Sequence, residues 1–318
     1  MDGTPNHPPK HDADDTTRLA NAEYRQGTEP FYMRWDAYEF STLSGFGKYD
    51  YYTRVYDELD SDEHSTIIDV GGGDGRGMLG IKLDRLHIGP TIVVDIHEKI
   101  FEWTKLVNHV LSGTILGSIA CTVGRAENLA FADNSIDAAM ALFSLYHVGK
   151  PEVALDELRR VTKPGAKIGI ATSGPNNKIR QREFENEIAD YLGIEPPPRF
   201  TEPFDTTKAH AVLSKYFRVT QPIEPWRCAM RVPYKLNQSK WSFTVGRYQM
   251  HESYGALVYL SSLNTMRIHF KPEPSKDAWA AAIAKVVLPR MGHSMAKNGY
   301  FEDEIDREFY ICENIKSN

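Results

Sequence analysis

The chain has 318 residues with a formal net charge of −6, and 41% of its residues are hydrophobic and 25% charged. That is ordinary globular usage, and the length suffices for one large core with added segments. No run approaches the ~18–20 apolar residues of a membrane span, no dense Lys/Arg stripe points to nucleic acid, and Cys121, Cys228 and Cys312 are too scattered for a disulfide framework or a zinc site, so the expectation is a soluble, cytoplasmic protein with reduced thiols and no metal.

In chain order, residues 1–17 are rich in Pro, Asp and His, lack the apolar core of a secretory signal, and read as a disordered tail. Residues 18–60 are crowded with aromatics, among them Tyr24, Tyr38, Tyr49 and Tyr52, and read as a helical cap. Residues 61–318 read as one α/β domain carrying an aromatic-rich insertion at about 225–274. Strand-like runs at 65–70, 91–95, 119–123, 136–142 and 166–172 alternate with helical ones. The first helix is placed at 77–86, the second carries Ile100, Trp103, Leu106, Val107 and Val110 at helical spacing, and the third opens on Pro151. This alternation predicts a doubly wound, mostly parallel Rossmann-like sheet with helices on both faces. Lys163-Pro164-Gly165 is expected to turn into the fifth strand. Helices at 180–192 and 206–215, a strand at 217–223, a helix at 276–295 and a last strand at 308–312 complete the expectation.

The most informative stretch is Ile67-Ile68-Asp69-Val70-Gly71-Gly72-Gly73-Asp74-Gly75. In open α/β sheets ligands sit outside the carboxyl ends of the strands, and glycines let them approach the backbone. A dinucleotide fingerprint, G-x-G-x-x-G, fails from Gly71 because Arg76 stands at the third glycine. A match at Gly75, Gly77 and Gly80 begins too far past the strand. It keeps an NAD(P)-dependent oxidoreductase as the alternative enzyme reading.

Asp69 with Gly71, Gly73 and Gly75 resembles the acidic glycine loop of class I S-adenosylmethionine-dependent methyltransferases. That cofactor carries a sulfonium and an ammonium and no phosphate, which suits a neighbouring carboxylate. Further motifs follow in order. Asp95, about 20 residues on, stands where a carboxylate receives ribose hydroxyls, with Ile96 beside it. Gly124 to Asp137 resembles the family stretch that contacts the adenine. Many relatives have Asp at the position of Arg125, so the contacts are expected from Ala126 and Glu127. Leu142-Phe143-Ser144-Leu145-Tyr146-His147 resembles the loop that lies beside the transferring methyl.

The resemblance covers roughly residues 61–172 and implies S-adenosyl-L-methionine as cofactor and S-adenosyl-L-homocysteine as product. It also implies direct displacement by an acceptor oxygen, nitrogen or carbon, helped chiefly by alignment. Leu142 and Phe143 are expected beside the cofactor, and His147 and Tyr146 are the candidates for proton transfer. His147, Tyr24, Tyr38, Tyr49 and Tyr52 are the candidates for lining a closed apolar acceptor pocket. The general layout resembles methyltransferases of quinone and secondary-metabolite biosynthesis, which implies a small organic acceptor. A non-catalytic methyltransferase-like binding module is the reading from outside enzymes. The aromatic N-terminal segment is suited to exchange between copies, which makes a homo-oligomer the expected assembly.

Overall fold

Largely apolar runs form the centre of the sheet. Strands β1 (Ile67–Val70), β2 (Thr91–Asp95), β3 (Ile119–Val123), β4 (Ile136–Leu142) and β5 (Thr162–Ser173) are mutually parallel. The computed structural model describes residues 51–96, 98–233, 242–245, 248–251, 259–260, 263 and 266–315. Residues 1–17, the cap before Tyr51 with Tyr24, Tyr38 and Tyr49, and much of 234–265 lie outside the described residues.

The crossovers are helical: α1 (Tyr51–Asp57) precedes β1, α2 (Arg76–Asp84) follows it, and α3 (Glu102–Leu111) and α4 (Pro151–Val161) follow β2 and β4. Beyond β5 come α5 (Ile179–Leu192), α6 (Ala209–Leu213), β6 (Arg218–Thr220), β7 (Trp226–Pro233) and the hairpin β8 (Ser242–Val245) and β9 (Tyr248–His251). A helix α7 (Lys276–Ala282) runs through a π-helical turn, Ile283–Val287, into α8 (Leu288–Asn298), and β10 (Tyr300–Glu313) ends the fold.

The eight-stranded sheet has the order β3-β2-β1-β4-β5-β10-β6, with β7 also paired to β10. β10 is antiparallel to β5, β6 and β7. Successive residues of each strand point to opposite faces, and two apolar cores result. Ile67, Met140, Leu142 and Phe309 face α1, α2, α5, α7 and α8. Ile68, Ala139, Ile170 and Tyr310 face α4 and α6. The expected doubly wound α/β architecture is therefore present.

Three elements differ from expectation. β5 begins at Thr162, so Lys163-Pro164-Gly165 belongs to its irregular start, where pairing with β4 shifts between Ile136 and Ala138. Trp226–Pro233, inside the segment read as an insertion, is a strand of the main sheet. β10 begins eight residues before the strand expected there, because its first half is acidic. Asp303 is nevertheless buried, and its carboxylate accepts from the N–H groups of Arg180 (2.8 Å) and Gln181 (3.2 Å), the unsatisfied donors at the start of α5. The Tyr259 hydroxyl donates to it as well, at 2.6 Å. No helix among the described residues is long and apolar enough to cross a membrane.

Candidate active site

The strand order reverses between β1 and β4, and in such sheets the crevice at that switch point is where ligands bind. Gly71, Gly73 and Gly75 there adopt φ values of +73°, +60° and +78°, a region that side chains other than glycine rarely enter. A Cβ on Gly71 would also stand 2.4 Å from Ser144 Cβ. Ser144 in turn donates its hydroxyl to the Val70 carbonyl at 2.7 Å, locking the exit of β4 onto the exit of β1. From β2, the Asp95 carboxylate accepts the Gly73 N–H at 3.2 Å. From α3, the Thr104 hydroxyl donates to the Asp74 carbonyl. The loop is thus held from three sides with its backbone at the carboxyl edge of the sheet.

Asp69 is 0% exposed, and neither carboxylate oxygen has a partner at full hydrogen-bond geometry among the described residues. Burial pushes its pKa up to about 7; the neighbouring Tyr52 hydroxyl lowers it and the Asp95 charge raises it further. A buried carboxylate this poorly compensated is costly in isolation and is suited to a cationic ligand. S-adenosylmethionine, with its sulfonium and ammonium and no phosphate, fits this donor set. A dinucleotide at Gly75, Gly77 and Gly80 does not. Gly77 and Gly80 lie inside α2, and a Cβ on Gly77 would stand 2.3 Å from the Tyr52 ring, so that backbone is already covered.

Ile96 and Asp95 are half-buried at the end of β2. Ala126 and Glu127 occupy a tight turn closed by an Arg125–Asn128 bridge, with Arg125 and Glu127 paired at 3.4 Å. Arg125, at the departure from the family pattern, therefore engages the glutamate that follows it. Arg160 of α4 anchors the chain just beyond this turn. Its guanidinium donates to the carbonyls of Leu129 and Phe131, both at 2.8 Å, and to Asp133 at 2.7 Å, while it pairs with Glu157 at 2.7 and 2.9 Å. Glu157 also accepts the Leu129 N–H at 2.7 Å. Those two carboxylates hold the Arg160 pKa above the ordinary guanidinium value, Glu157 foremost.

Leu142 is buried, and Phe143, at φ +56°, carries the chain out of β4 on the α1 side of the sheet. Tyr146 and His147 lie in a 3₁₀ turn with ring centroids 4.4 Å apart. Tyr146 packs on the α4 side, so the structure separates it from Phe143. Tyr52, a candidate for lining the acceptor pocket, covers Gly77 next to Asp69. Among the described residues, Tyr51 at 5.3 Å and Phe309 at 6.0 Å meet the Phe143 ring edge-on. Neither stood out in the sequence; nor did Arg307, whose guanidinium lies 5.0 Å over the Phe143 ring. The usable signal was the period-two alternation Ile305, Arg307, Phe309, Ile311, which places Arg307 on an apolar face.

A separate cavity of about 510 Å³ is lined by Arg180, Arg290, His293 and Phe301. Glu183 and Glu187 engage its two arginines, so it offers a charge-balanced surface, and its lining includes no residue of the glycine loop. Among the described residues no cluster of His, Cys, Asp or Glu is disposed to hold a metal.

Residues 68–170 match a methyltransferase domain family. Over 173 residues the chain is 31% identical to the ubiquinone/menaquinone biosynthesis C-methyltransferase UbiE of Pseudomonas putida strain GB-1, an alignment covering 48% of this chain and 66% of that protein. Over 96 residues it is 54% identical to the demethylmenaquinone methyltransferase of Paenarthrobacter aurescens strain TC1, covering 30% of this chain and 36% of that one. The chain thus spans just under two thirds of the length of the first of these relatives and about a third of the second. Among solved structures, the YcgJ protein of Bacillus subtilis superposes with a TM-score of 0.50 at 13% identity, covering 84% of this chain and 98% of that one. The Haemonchus contortus phosphoethanolamine N-methyltransferase 2 bound to S-adenosylhomocysteine gives 0.51 at 12% identity, covering 94% and 60%. These likenesses concern the fold.

Proposed function

The chain belongs to the class I S-adenosylmethionine-dependent methyltransferases, and from that premise we propose that it methylates a small organic acceptor, with a ring carbon of a hydroquinone-like molecule as the favoured target. The observation that carries the reading is Asp69, a buried carboxylate short of hydrogen-bond partners beside a glycine loop at the sheet's switch point. The quinone and carbon specificity draws its support from the names of the relatives that match the chain.

When bound, S-adenosylmethionine supplies a methyl group on a positively charged sulfur. The chain's own residues divide the remaining tasks. The glycine loop leaves room at the backbone, and Asp95, already fixed by Gly73, presents a carboxylate for the ribose hydroxyls. Asp69 supplies negative charge toward the cationic end. The turn anchored by Arg160 presents Ala126 and Glu127 to the adenine. Phe143 and Tyr51 form an apolar wall that excludes water and narrows the acceptor's approach. His147 and Tyr146 stand in the adjoining turn as groups able to take up a proton.

The test is formation of S-adenosylhomocysteine with hydroquinone, phenol and amine acceptors, with the product's methylation position read by NMR. Ring-carbon methylation of hydroquinones is expected. Products methylated only on oxygen or nitrogen would overturn the carbon assignment, and cofactor binding without turnover across all acceptors would point to a binding module.

A further inference from the structure

Asp69 and Tyr52 come from separate elements and meet beside the glycine loop. Asp69 sits in β1 between Val93 of β2 and Met140 of β4. Its carboxylate fills the space beside Gly72, where a Cβ would stand 2.3 Å from Oδ2. Tyr52 is the second residue of α1 and is buried. Its ring fills the space beside Gly77, and the carbon that bears the hydroxyl lies 2.3 Å from where a Cβ would stand. One glycine of the loop and one in the first turn of α2 thus leave room for an acid and a phenol. The phenol hydroxyl faces the Asp69 carboxylate and approaches it short of full hydrogen-bond geometry. Burial opposes ionisation of Asp69, and so does the like charge of Asp95 from β2; Tyr52 acts in the opposite sense, because a donor to a carboxylate favours its charged form. Farther along α1, Val55 fills the space beside Gly169 of β5, and the Tyr56 hydroxyl lies 3.1 Å from His87 Nδ1. The helix is therefore seated on the sheet independently of Tyr52.

We propose that Tyr52 is the positioning residue of the cationic cofactor subsite: its hydroxyl donates to Asp69 and holds that side chain ionised and in place for the positively charged end of the cofactor. Tyr52 keeps its own proton throughout, and the proton that Asp69 gives up on ionisation passes to solvent. The docking of α1 thereby sets the charge of a site whose remaining parts lie in β1, β2 and the loop between β1 and α2. Because Asp69 titrates near neutrality, a single donor decides how much of the site carries its charge at working pH. This inference rests on the methyltransferase reading above.

The test follows the Asp69 carboxyl carbon by NMR against pH in the full, ligand-free chain, with the signal assigned by its loss in Asp69→Asn. Tyr52→Phe keeps the ring over Gly77 and removes the hydroxyl. The Asp69 midpoint is expected to rise by about half a unit to one unit, which cuts the ionised fraction at pH 7 about two- to fivefold. Tyr56→Phe, which removes a hydroxyl from the other end of α1, is expected to leave the midpoint where it is. Titration with S-adenosylhomocysteine should show a loss of affinity in Tyr52→Phe that is larger at pH 6 than at pH 8, and little further loss when Tyr52→Phe is added to Asp69→Asn. An unmoved or lowered midpoint in Tyr52→Phe, an equal shift in Tyr56→Phe, or a loss of affinity of the same size at both pH values would overturn the proposal. If Tyr52→Phe fails to fold, fluorotyrosine in place of Tyr52 keeps the ring and makes the hydroxyl a stronger donor; it should move the midpoint down, and an unmoved midpoint would overturn the proposal. Failure of S-adenosylhomocysteine to bind the wild type would instead strike at the methyltransferase reading itself, which the titration of the ligand-free chain does not depend on.

Discussion

The Gly73 backbone N–H donates to the Asp95 carboxylate at 3.2 Å, so one residue both braces the glycine loop and presents an acceptor at the end of β2. Replacing Asp95 with Ala removes both roles, and replacing it with Asn keeps a carbonyl oxygen for the loop while removing the charge. Asp95→Ala is expected to weaken S-adenosylhomocysteine binding by about 100-fold, roughly 2.7 kcal/mol, and Asp95→Asn by less. Isothermal titration of the two variants measures the difference; wild-type affinity in both would show that the charge and the brace are dispensable.

Asp69 makes a prediction in pH. Its pKa in the folded chain, about 7, lies above the ordinary value of 3.8. Between those values the folded chain holds a proton that the unfolded chain has lost, so stability without ligand falls as pH rises through this window. A cationic ligand favours the ionised carboxylate, so affinity for S-adenosylmethionine should rise from pH 5.5 to about 7, where an α-amino group of pKa about 8 is still mostly protonated. Asp69→Asn should raise the melting temperature of the ligand-free protein at pH 7.5, with a gain of about 1–3 kcal/mol. It should also flatten the pH dependence of binding. A less stable Asp69→Asn protein would mean that the carboxylate is already compensated.

Two glycines with left-handed backbone separate strain from crowding. Gly165 has φ +79° with open space where a Cβ would go, while Gly71 has φ +73° and Ser144 Cβ 2.4 Å from that position. Gly165→Ala should cost about 1 kcal/mol, and Gly71→Ala clearly more. Ser144→Gly in the Gly71→Ala background should recover part of the difference. Chemical denaturation checks all three, and equal costs at the two glycines would contradict the packing of the β4 exit on the loop.

Arg160 braces the chain just beyond the Ala126–Glu127 turn through main-chain carbonyls and Glu157. Arg160→Met removes the side-chain donor to the Phe131 carbonyl, while the Leu129 carbonyl keeps the Phe131 N–H, a loss of about 1–3 kcal/mol. Affinity for S-adenosylhomocysteine should drop by about tenfold or more. A titration that shows wild-type affinity would mean that the turn holds its shape by itself.

Much of this architecture is readable in the amino-acid order because the five parallel strands are short apolar runs and the glycine loop is local. β2, β3 and β4 fall on the expected residues, and Asp69, Asp95 and the three glycines meet at one edge, as their spacing implied. β10 was legible only in its apolar second half, since Asp303 and Arg307 are polar residues buried by partners that come from α5, Tyr259 and the β4 exit. Tyr51 was hidden for a related reason: in a run of aromatics, only the orientation of α1 determines that Tyr51 meets Phe143 while Tyr52 covers Gly77. Sequence periodicity reports which residues share a face and is silent on what they meet across it.

The most direct test of the central claim is isothermal titration of the full chain with S-adenosylhomocysteine and, separately, with NADH. A dissociation constant in the micromolar range for S-adenosylhomocysteine, about −8 kcal/mol, with no heat from NADH, is the expected result. Binding of NADH in place of S-adenosylhomocysteine would contradict the assignment of the glycine loop and return the cofactor site to Gly75, Gly77 and Gly80.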